Sequence, residues 1–415
     1  MFPDGLALDF DFVVGPFRRV AKQVWSCGMR EFVVAVSLCW GMWCCQSVFF
    51  AAAVSAQSPW KKHVVHEGLH NTTAIAGDFT KDGAPDVIFN AAGRTRLLVA
   101  PDWKEIVLDA TPGYDFIHSE AFDVDGDGDL DWIGARYSPG LVVWLEQPNQ
   151  PLTDKWPLRI ADEQLNGIHG VLQADVDGDG RMDLLANSGQ PTGPWANSAA
   201  WLRAPLDPRA THAWERIVFA DGDASGLSHY FGAGDVNGDG RLDICLAAKG
   251  GPQAEPGTGE WYAWWEAPTS PRARGWKKHV IATGQPGATN IMPADVNRDG
   301  KVDFIATRGH DRGVVWFEAP QWKLHTIHPT LKEPHSLVVR DLDGDGDLDA
   351  ATCGYGDREV WWFENDGRGG FRNHQVAADQ AAYDIRAFDM DRDGDLDLLI
   401  AGQQSKNVVW YENPR

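Results

Sequence analysis

The chain has 415 residues, 43% apolar content, 20 Trp and a formal charge of −22. That length exceeds what one compact core usually carries, so several domains or a repeat array is expected. The acidity excludes nucleic acid as a partner, because affinity for it comes largely from Lys and Arg on phosphates, and it equally excludes docking on anionic lipid.

The first 59 residues differ from the rest. Residues 1–28 read as upstream sequence without structural content. After Met29-Arg30-Glu31 comes an apolar stretch from Phe32 to Val54, ending in Ala53-Val54-Ser55-Ala56. A charged start, an apolar middle and a small-x-small end mark a secretory signal peptide over 29–56. The run is also long enough to span a bilayer, so a retained anchor is the alternative. Either way residues 57–415 lie outside the cytoplasm, secreted or periplasmic. Cys27, Cys39, Cys44 and Cys45 fall in or before this segment, which leaves Cys245 and Cys353, each inside an apolar run and read as a buried free thiol.

Along 57–415 one ten-residue pattern recurs seven times: GDFTKDGAPD, FDVDGDGDLD, ADVDGDGRMD, GDVNGDGRLD, ADVNRDGKVD, RDLDGDGDLD and FDMDRDGDLD. The spacing is 45 to 60 residues, and self-similarity at such a period signals a propeller, a solenoid or an array. A short apolar run follows each copy. Next comes an aromatic run (VVWLEQP, AWWEAP, VVWFEAP, VWWFEN, VVWYENP), then a fourth pattern (WKEIVL, WERIVF, WKKHVI, WKLHTI). Four Val-, Ile- and aromatic-rich strands per repeat of about 45 residues match one propeller blade. The recurring Trp144, Trp265, Trp316, Trp362 and Trp410, like Trp60, Trp103, Trp276 and Trp322, are read as packing residues. The last repeat stops at Arg415 after its third strand, and a lone copy of the fourth stands at Trp60-Lys61-Lys62-His63-Val64-Val65. The expectation is an all-β, seven-bladed propeller of four-stranded antiparallel blades, closed by residues 60–66 completing the last blade.

The ten-residue pattern contains D-x-[DN]-x-D-G-x-x-D. Calcium takes six to eight hard oxygen ligands, which a short loop presents from alternate positions, with Gly allowing the turn. The expected metal residues are Asp78, Asp82 and Asp86 in the first loop; Asp123, Asp125, Asp127 and Asp131 in the second; and Asp175, Asp177, Asp179 and Asp183 in the third. The fourth and fifth substitute one amide each: Asp235, Asn237, Asp239, Asp243, and Asp295, Asn297, Asp299, Asp303. The last two are Asp341, Asp343, Asp345, Asp349 and Asp389, Asp391, Asp393, Asp397. Thr80 and Ala84-Pro85 make the first loop the weakest, so about six or seven structural Ca²⁺ are expected. An EF-hand is excluded, because the twelfth position after Asp123 is Gly134 rather than Glu. The motif resembles the FG-GAP/VCBS repeats of integrin-like and bacterial extracellular propellers, over nearly all of 57–415. The resemblance implies the same fold and an extracellular setting.

The loops join first and second strands, so they share one face of the disc. On the other face, entries to the first strands carry His118, His169, His229 and His335, with Tyr230 beside His229. The equivalent positions elsewhere are Thr72 or Thr73, Asn290, and Tyr383-Asp384. Second-to-third-strand loops add Arg136, Lys249, Arg308, His310 and Tyr355. Converging imidazoles would bind a transition metal or act as general base, with Tyr230 as acid and Arg136 or Arg308 stabilising developing negative charge. A histidine that merely caps its blade turn is the competing reading. The expected function is an extracellular binding module for a glycan or protein. The alternative is a carbohydrate lyase or dehydratase, by looser similarity to aldos-2-ulose dehydratases and polysaccharide lyases. The Gly/Pro-rich insertions 187–199 and 249–260 are candidates for specificity on a rigid scaffold.

Overall fold

The computed structural model describes residues 60–415 apart from Arg274; the signal-peptide, anchor and upstream readings, with their four cysteines, lie outside the described residues. Every regular element among the described residues is a strand, and the 28 strands form seven antiparallel sheets of four. The chain is a seven-bladed β-propeller. Blades 1 to 7 begin with first strands Ala74–Gly77, His118–Phe122, Val171–Ala174, Ser228–Gly234, Asn290–Ala294, Pro334–Arg340 and Asp384–Phe388. Neighbouring first strands touch around the ring, the last against the first included. They line a central channel of about 630 Å³.

Closure follows the expected route. Lys61–Glu67 is the fourth strand of blade 7 and pairs antiparallel with Asn407–Glu412, Lys61 facing Glu412 and Val64 facing Val409. Trp60 then packs edge-on against Trp362 of blade 6, ring centroids 6.1 Å apart. The third and fourth strands of every blade carry a register shift, in blade 7 between Val64 and His66. Such bulges sharpen the local twist, which a radial stack of strongly twisted sheets requires.

The apolar side chains form seven clusters, each lying between two adjacent blades. Second strands are therefore buried on both faces: in Asp131–Arg136, Trp132 joins the cluster shared with blade 1 and Ile133 the cluster shared with blade 3. This explains their continuous apolar runs, since alternation appears only where one face meets water. Cys245 and Cys353 are free and buried on such strands.

The fourth-strand pattern has a physical basis. His63, His279, His325 and His374 stack on Trp410, Trp264, Trp316 and Trp362 at centroid distances of 3.9, 4.2, 4.3 and 4.5 Å. Each imidazole also meets a third-strand carboxylate, Glu412, Glu266, Glu318 or Glu364, at 2.6 to 2.7 Å. The register corrects one assignment. Trp264, not Trp265, occupies the repeated aromatic position in blade 4, whereas Trp265 lies in the blade 3–blade 4 cluster. The signal lies in the Trp-x-Glu offset: Trp264 stands two residues before Glu266, as Trp316, Trp362 and Trp410 do before Glu318, Glu364 and Glu412.

Removing Trp60–Glu67 leaves the Asn407–Glu412 edge unpaired and strips Trp362 of a neighbour. Size-exclusion chromatography should then show loss of the monomer to aggregates, since an open apolar strand edge templates association.

Candidate functional site

Six of the seven aspartate loops share one local construction; in blade 1 Asp86 accepts a single backbone N–H, that of Ala100 at 3.0 Å. In blade 2 the carboxylate of Asp123 accepts the backbone N–H of Gly126, Asp127 and Gly128 at 2.7, 3.1 and 2.9 Å, which closes the turn. Asp131 is buried and accepts Val124 N–H at 3.0 Å and Gln147 N–H at 2.8 Å, tying the loop to the exit of the third strand. The same two bonds recur at Asp183, Asp243, Asp303, Asp349 and Asp397. Burial pushes these carboxyls up, Asp131 to about 8, Asp349 and Asp397 to about 7, and Asp183, Asp243 and Asp303 to about 6.

Three acids come within 4.8 Å of one another in the loops of blades 2, 3, 6 and 7: Asp123/Asp125/Asp127, Asp175/Asp177/Asp183, Asp341/Asp343/Asp349 and Asp389/Asp391/Asp397. Asp125 Oδ1, Asp177 Oδ1 and Asp389 Oδ1 are buried and accept no hydrogen bond. Clustered hard oxygens with unused lone pairs fit a calcium ion. No such trio forms in blades 1, 4 and 5 among the described residues. There Thr80, Asn237 and Asn297 replace an acid, and Asn237 and Asn297 use their side-chain oxygens to accept N–H of Asp239 and Asp299 at 3.1 and 3.0 Å. Basic side chains also reach three of the trios, Arg415 lying 3.2 Å from Asp343. Arg209 lies 2.8 Å from Asp125 and 2.5 Å from Asp127, and Arg203 lies 2.7 Å from both Asp177 and Asp179.

At the opposite ends of the strands, His169, His229, His310 and His335 each turn one ring nitrogen to a common centre, the four atoms lying within 4.8 Å of one another. They come from blades 3, 4, 5 and 6. His169, His229 and His335 are 5%, 2% and 2% exposed, while His310, on the turn after Asp303–Thr307, stands at the solvent rim with its ring nitrogen facing inward. Tautomers follow from the partners. His229 Nδ1 is 2.8 Å from the Leu227 carbonyl, which can only accept, so Nδ1 holds the proton and Nε2 presents a lone pair, 2.8 Å from His310 Nε2. His335 Nδ1 donates likewise to the Tyr383 carbonyl at 3.2 Å, and its Nε2 is buried without a partner. His169 Nε2 meets the Tyr383 hydroxyl at 2.9 Å, with Nδ1 unpartnered. Burial, the neighbouring imidazoles and Lys249 hold His169, His229 and His335 well below the usual imidazole range; burial and then Lys249 bring His310 down to about 3. Four neutral imidazoles, two oriented by backbone carbonyls, fit the donor set that a transition metal takes.

The chain approaches itself closely to build this centre. A Cβ on Gly170 would sit 2.8 Å from the His229 carbonyl oxygen, and one on Gly309 2.7 Å from His335 Cα. Asn187, fully buried, accepts the N–H of His169 and Gly170 at 2.8 and 3.1 Å and donates to the carbonyls of Ser228 and His229 at 2.6 and 3.1 Å. One amide thus fixes the backbones of two of the four histidines.

The other expected site residues lie elsewhere. His118 faces the channel, where its Nε2 accepts from Arg386 Nη2 at 2.6 Å; Arg386 also pairs with Glu120 at 3.3 Å and Asp384 at 3.2 Å. Tyr230 separates that network from the histidine centre, its hydroxyl 3.2 Å from His335 Nδ1 and its ring 4.9 Å from that of His118. Burial pushes its hydroxyl pKa well up. Arg136 bonds to Pro139 and Gly113 carbonyls, and Arg308 to Gln285, so neither points into the cluster. His310 belongs to a loop rather than to the repeated entry position, and no spacing signal in the chain groups it with the other three. The pocket above the centre, about 220 Å³, is lined by Tyr137, Lys249, Gln253 and Tyr383 together with His169, His229 and His310.

Residues 123–186, 235–306 and 341–400 match the family model described as FG-GAP-like repeat. Among solved structures, a streptogramin B lyase is similar with TM-score 0.56 and 10% identity, covering 85% of this chain and 98% of that one. Virginiamycin B lyase from Staphylococcus aureus aligns with TM-score 0.56 and 9% identity over 85% and 98%. BBS1N, solved in complex with ARL6DN, gives 0.57 and 12% over 86% and 98%. At these identities the shared property is the propeller fold. No curated protein matches the sequence.

Asn187→Ala should lower unfolding stability by about 2–4 kcal/mol, since it leaves buried N–H and C=O groups unpaired. Denaturant titration measures it, and a cost within 0.5 kcal/mol or so of zero would contradict the hydrogen-bonding role.

Proposed function

We propose that this chain, an FG-GAP-repeat β-propeller, is an exported metalloenzyme: calcium in the aspartate loops braces the ring, and a transition metal in the four-histidine pocket serves the chemistry. The observation that carries this reading is the convergence of His169, His229, His310 and His335 within 4.8 Å. A blade-capping role accounts for histidines at the repeated entry position, but His310 is not at that position and still completes the set.

When bound, a divalent metal there polarises a carbonyl oxygen or lowers the pKa of a water. The protein's own groups do the rest. His169, His229 and His335 are held rigidly in the buried layer, and His310 closes the solvent side. Tyr383 holds one imidazole through its hydroxyl and another through its carbonyl. Tyr137 accepts Gln190 Nε2–H at 2.6 Å, which leaves its own proton free for a ligand. This equipment fits a lyase or dehydratase acting on a small oxygenated substrate, a sugar being the class expected from the sequence. Two of the similar propellers are lyases by name. Export rests on the charged-apolar-small pattern of 29–56, and loops of this kind bind calcium well at extracellular concentrations.

A glycan- or protein-binding module on the same face is the second reading. The two insertions favour it: they meet near the pocket, Asn197 Nδ2 donating to Glu255 Oε2 at 3.2 Å, and Gln253 of the second lines the pocket.

Elemental analysis of the purified protein should find several calcium ions and about one zinc, manganese or iron per chain. His229→Ala plus His335→Ala should remove the transition metal and leave the calcium; retention of both metals by the double variant would refute the assignment. Chelation of calcium should lower Tm, and re-addition should restore it, each site at a hundredfold excess over Kd contributing about 2.7 kcal/mol. Asp125→Asn should reduce the calcium-dependent part of Tm.

A further inference from the structure

The pocket above the histidines has a charge imbalance. Its lining contains one ionic side chain, Lys249, and no carboxylate, in a chain whose net charge is −22. Lys249 donates to Gln253 Oε1 at 3.1 Å and forms no ion pair among the described residues. Its backbone is fastened to the metal-binding segments on both sides. The Leu227 carbonyl that accepts His229 Nδ1–H also accepts Lys249 N–H at 3.3 Å; Gly287, whose carbonyl accepts His310 N–H at 3.2 Å, donates to the Lys249 carbonyl at 3.1 Å. Lys249 is therefore a built part of the site rather than a solvated surface lysine that swings nearby.

On the metal reading above, a dication on four neutral imidazoles beside one ammonium leaves three positive charges in a half-enclosed cavity. A bound hydroxide offsets only one. Uncompensated charge in a poorly solvated pocket is costly, so an anionic occupant is favoured. We propose that the substrate is a small carboxylate, bound with one oxygen toward the histidine centre and its charge against Lys249, with the free proton of Tyr137 as a further donor. A volume of about 220 Å³ admits a molecule of monosaccharide size or the end unit of a longer chain. Phosphate is the poorer fit, because it is recognised by Arg forks or several converging N–H groups, and this pocket offers a single point charge and hydroxyls.

The test uses the full chain loaded with cobalt(II), whose visible absorption reports coordination, and titrates glycolate against its neutral analogue ethylene glycol and against inorganic phosphate. Glycolate should shift the cobalt bands and ethylene glycol should not. Lys249→Gln should weaken glycolate binding about tenfold or more, with cobalt content, ligand-free spectrum and Tm unchanged, and Lys249→Arg should recover part of the loss. Equal binding of glycol and glycolate, unaltered glycolate binding in Lys249→Gln, or tighter binding of phosphate would each overturn the proposal. The metal reading is checked first and separately: a wild-type chain that takes up no cobalt overturns that reading, and this proposal with it.

Discussion

Two hydrogen bonds to one buried carboxylate hold the rest of this structure in place. At the ninth position of a loop, an aspartate such as Asp131 accepts one backbone N–H from inside its own loop and one from the end of the third strand. The bonds join three points of a blade that are distant along the chain. The strands are only four to ten residues long. Fastening one end of a blade therefore sets the register at the other, where the histidines stand. The carboxylate is costly to ionise in its buried position. Loop and register thus form one unit, repeated in six of the seven blades.

Against that regular frame, the histidine centre is asymmetric. Three of its histidines occupy the same repeat position in blades 3, 4 and 6; blade 5 has Asn290 there and contributes His310 from a loop instead. Blade 2 supplies His118 at the repeat position, yet Arg386 draws it into a buried network with Glu120 and Asp384 in the channel. Tyr230 stands between the two sets. One face thereby holds a cluster of imidazoles above and an ion-paired network below. The first has ring nitrogens facing no partner, and in the second one guanidinium pairs with two carboxylates.

Glycine and asparagine make the asymmetry sterically feasible. Gly170 and Gly309 let neighbouring backbone segments approach to distances that a side chain would forbid, and Asn187 bridges the entry segments of blades 3 and 4. The insertions after the second strands of blades 3 and 4 then wall the pocket, bringing Lys249 and Gln253 beside the imidazoles. Elsewhere on the same face Arg136 and Arg308 are consumed by carbonyl and amide partners. Their charge is visible in the chain, but their direction is not.

The sequence by itself determined the number of blades, the four-strand plan, the closing strand at Trp60–Glu67 and the aspartates that line each loop. These are local and periodic properties: they recur at fixed offsets, and a period survives in one dimension. It also placed the histidines on one face, because a strand that enters at one edge leaves at the other. Tertiary structure alone decided which of them meet. His169, His229, His310 and His335 are separated by 25 to 81 residues along the chain. Their proximity depends on the radius of the ring, the rotation between blades and side-chain directions, none of which leaves a periodic trace.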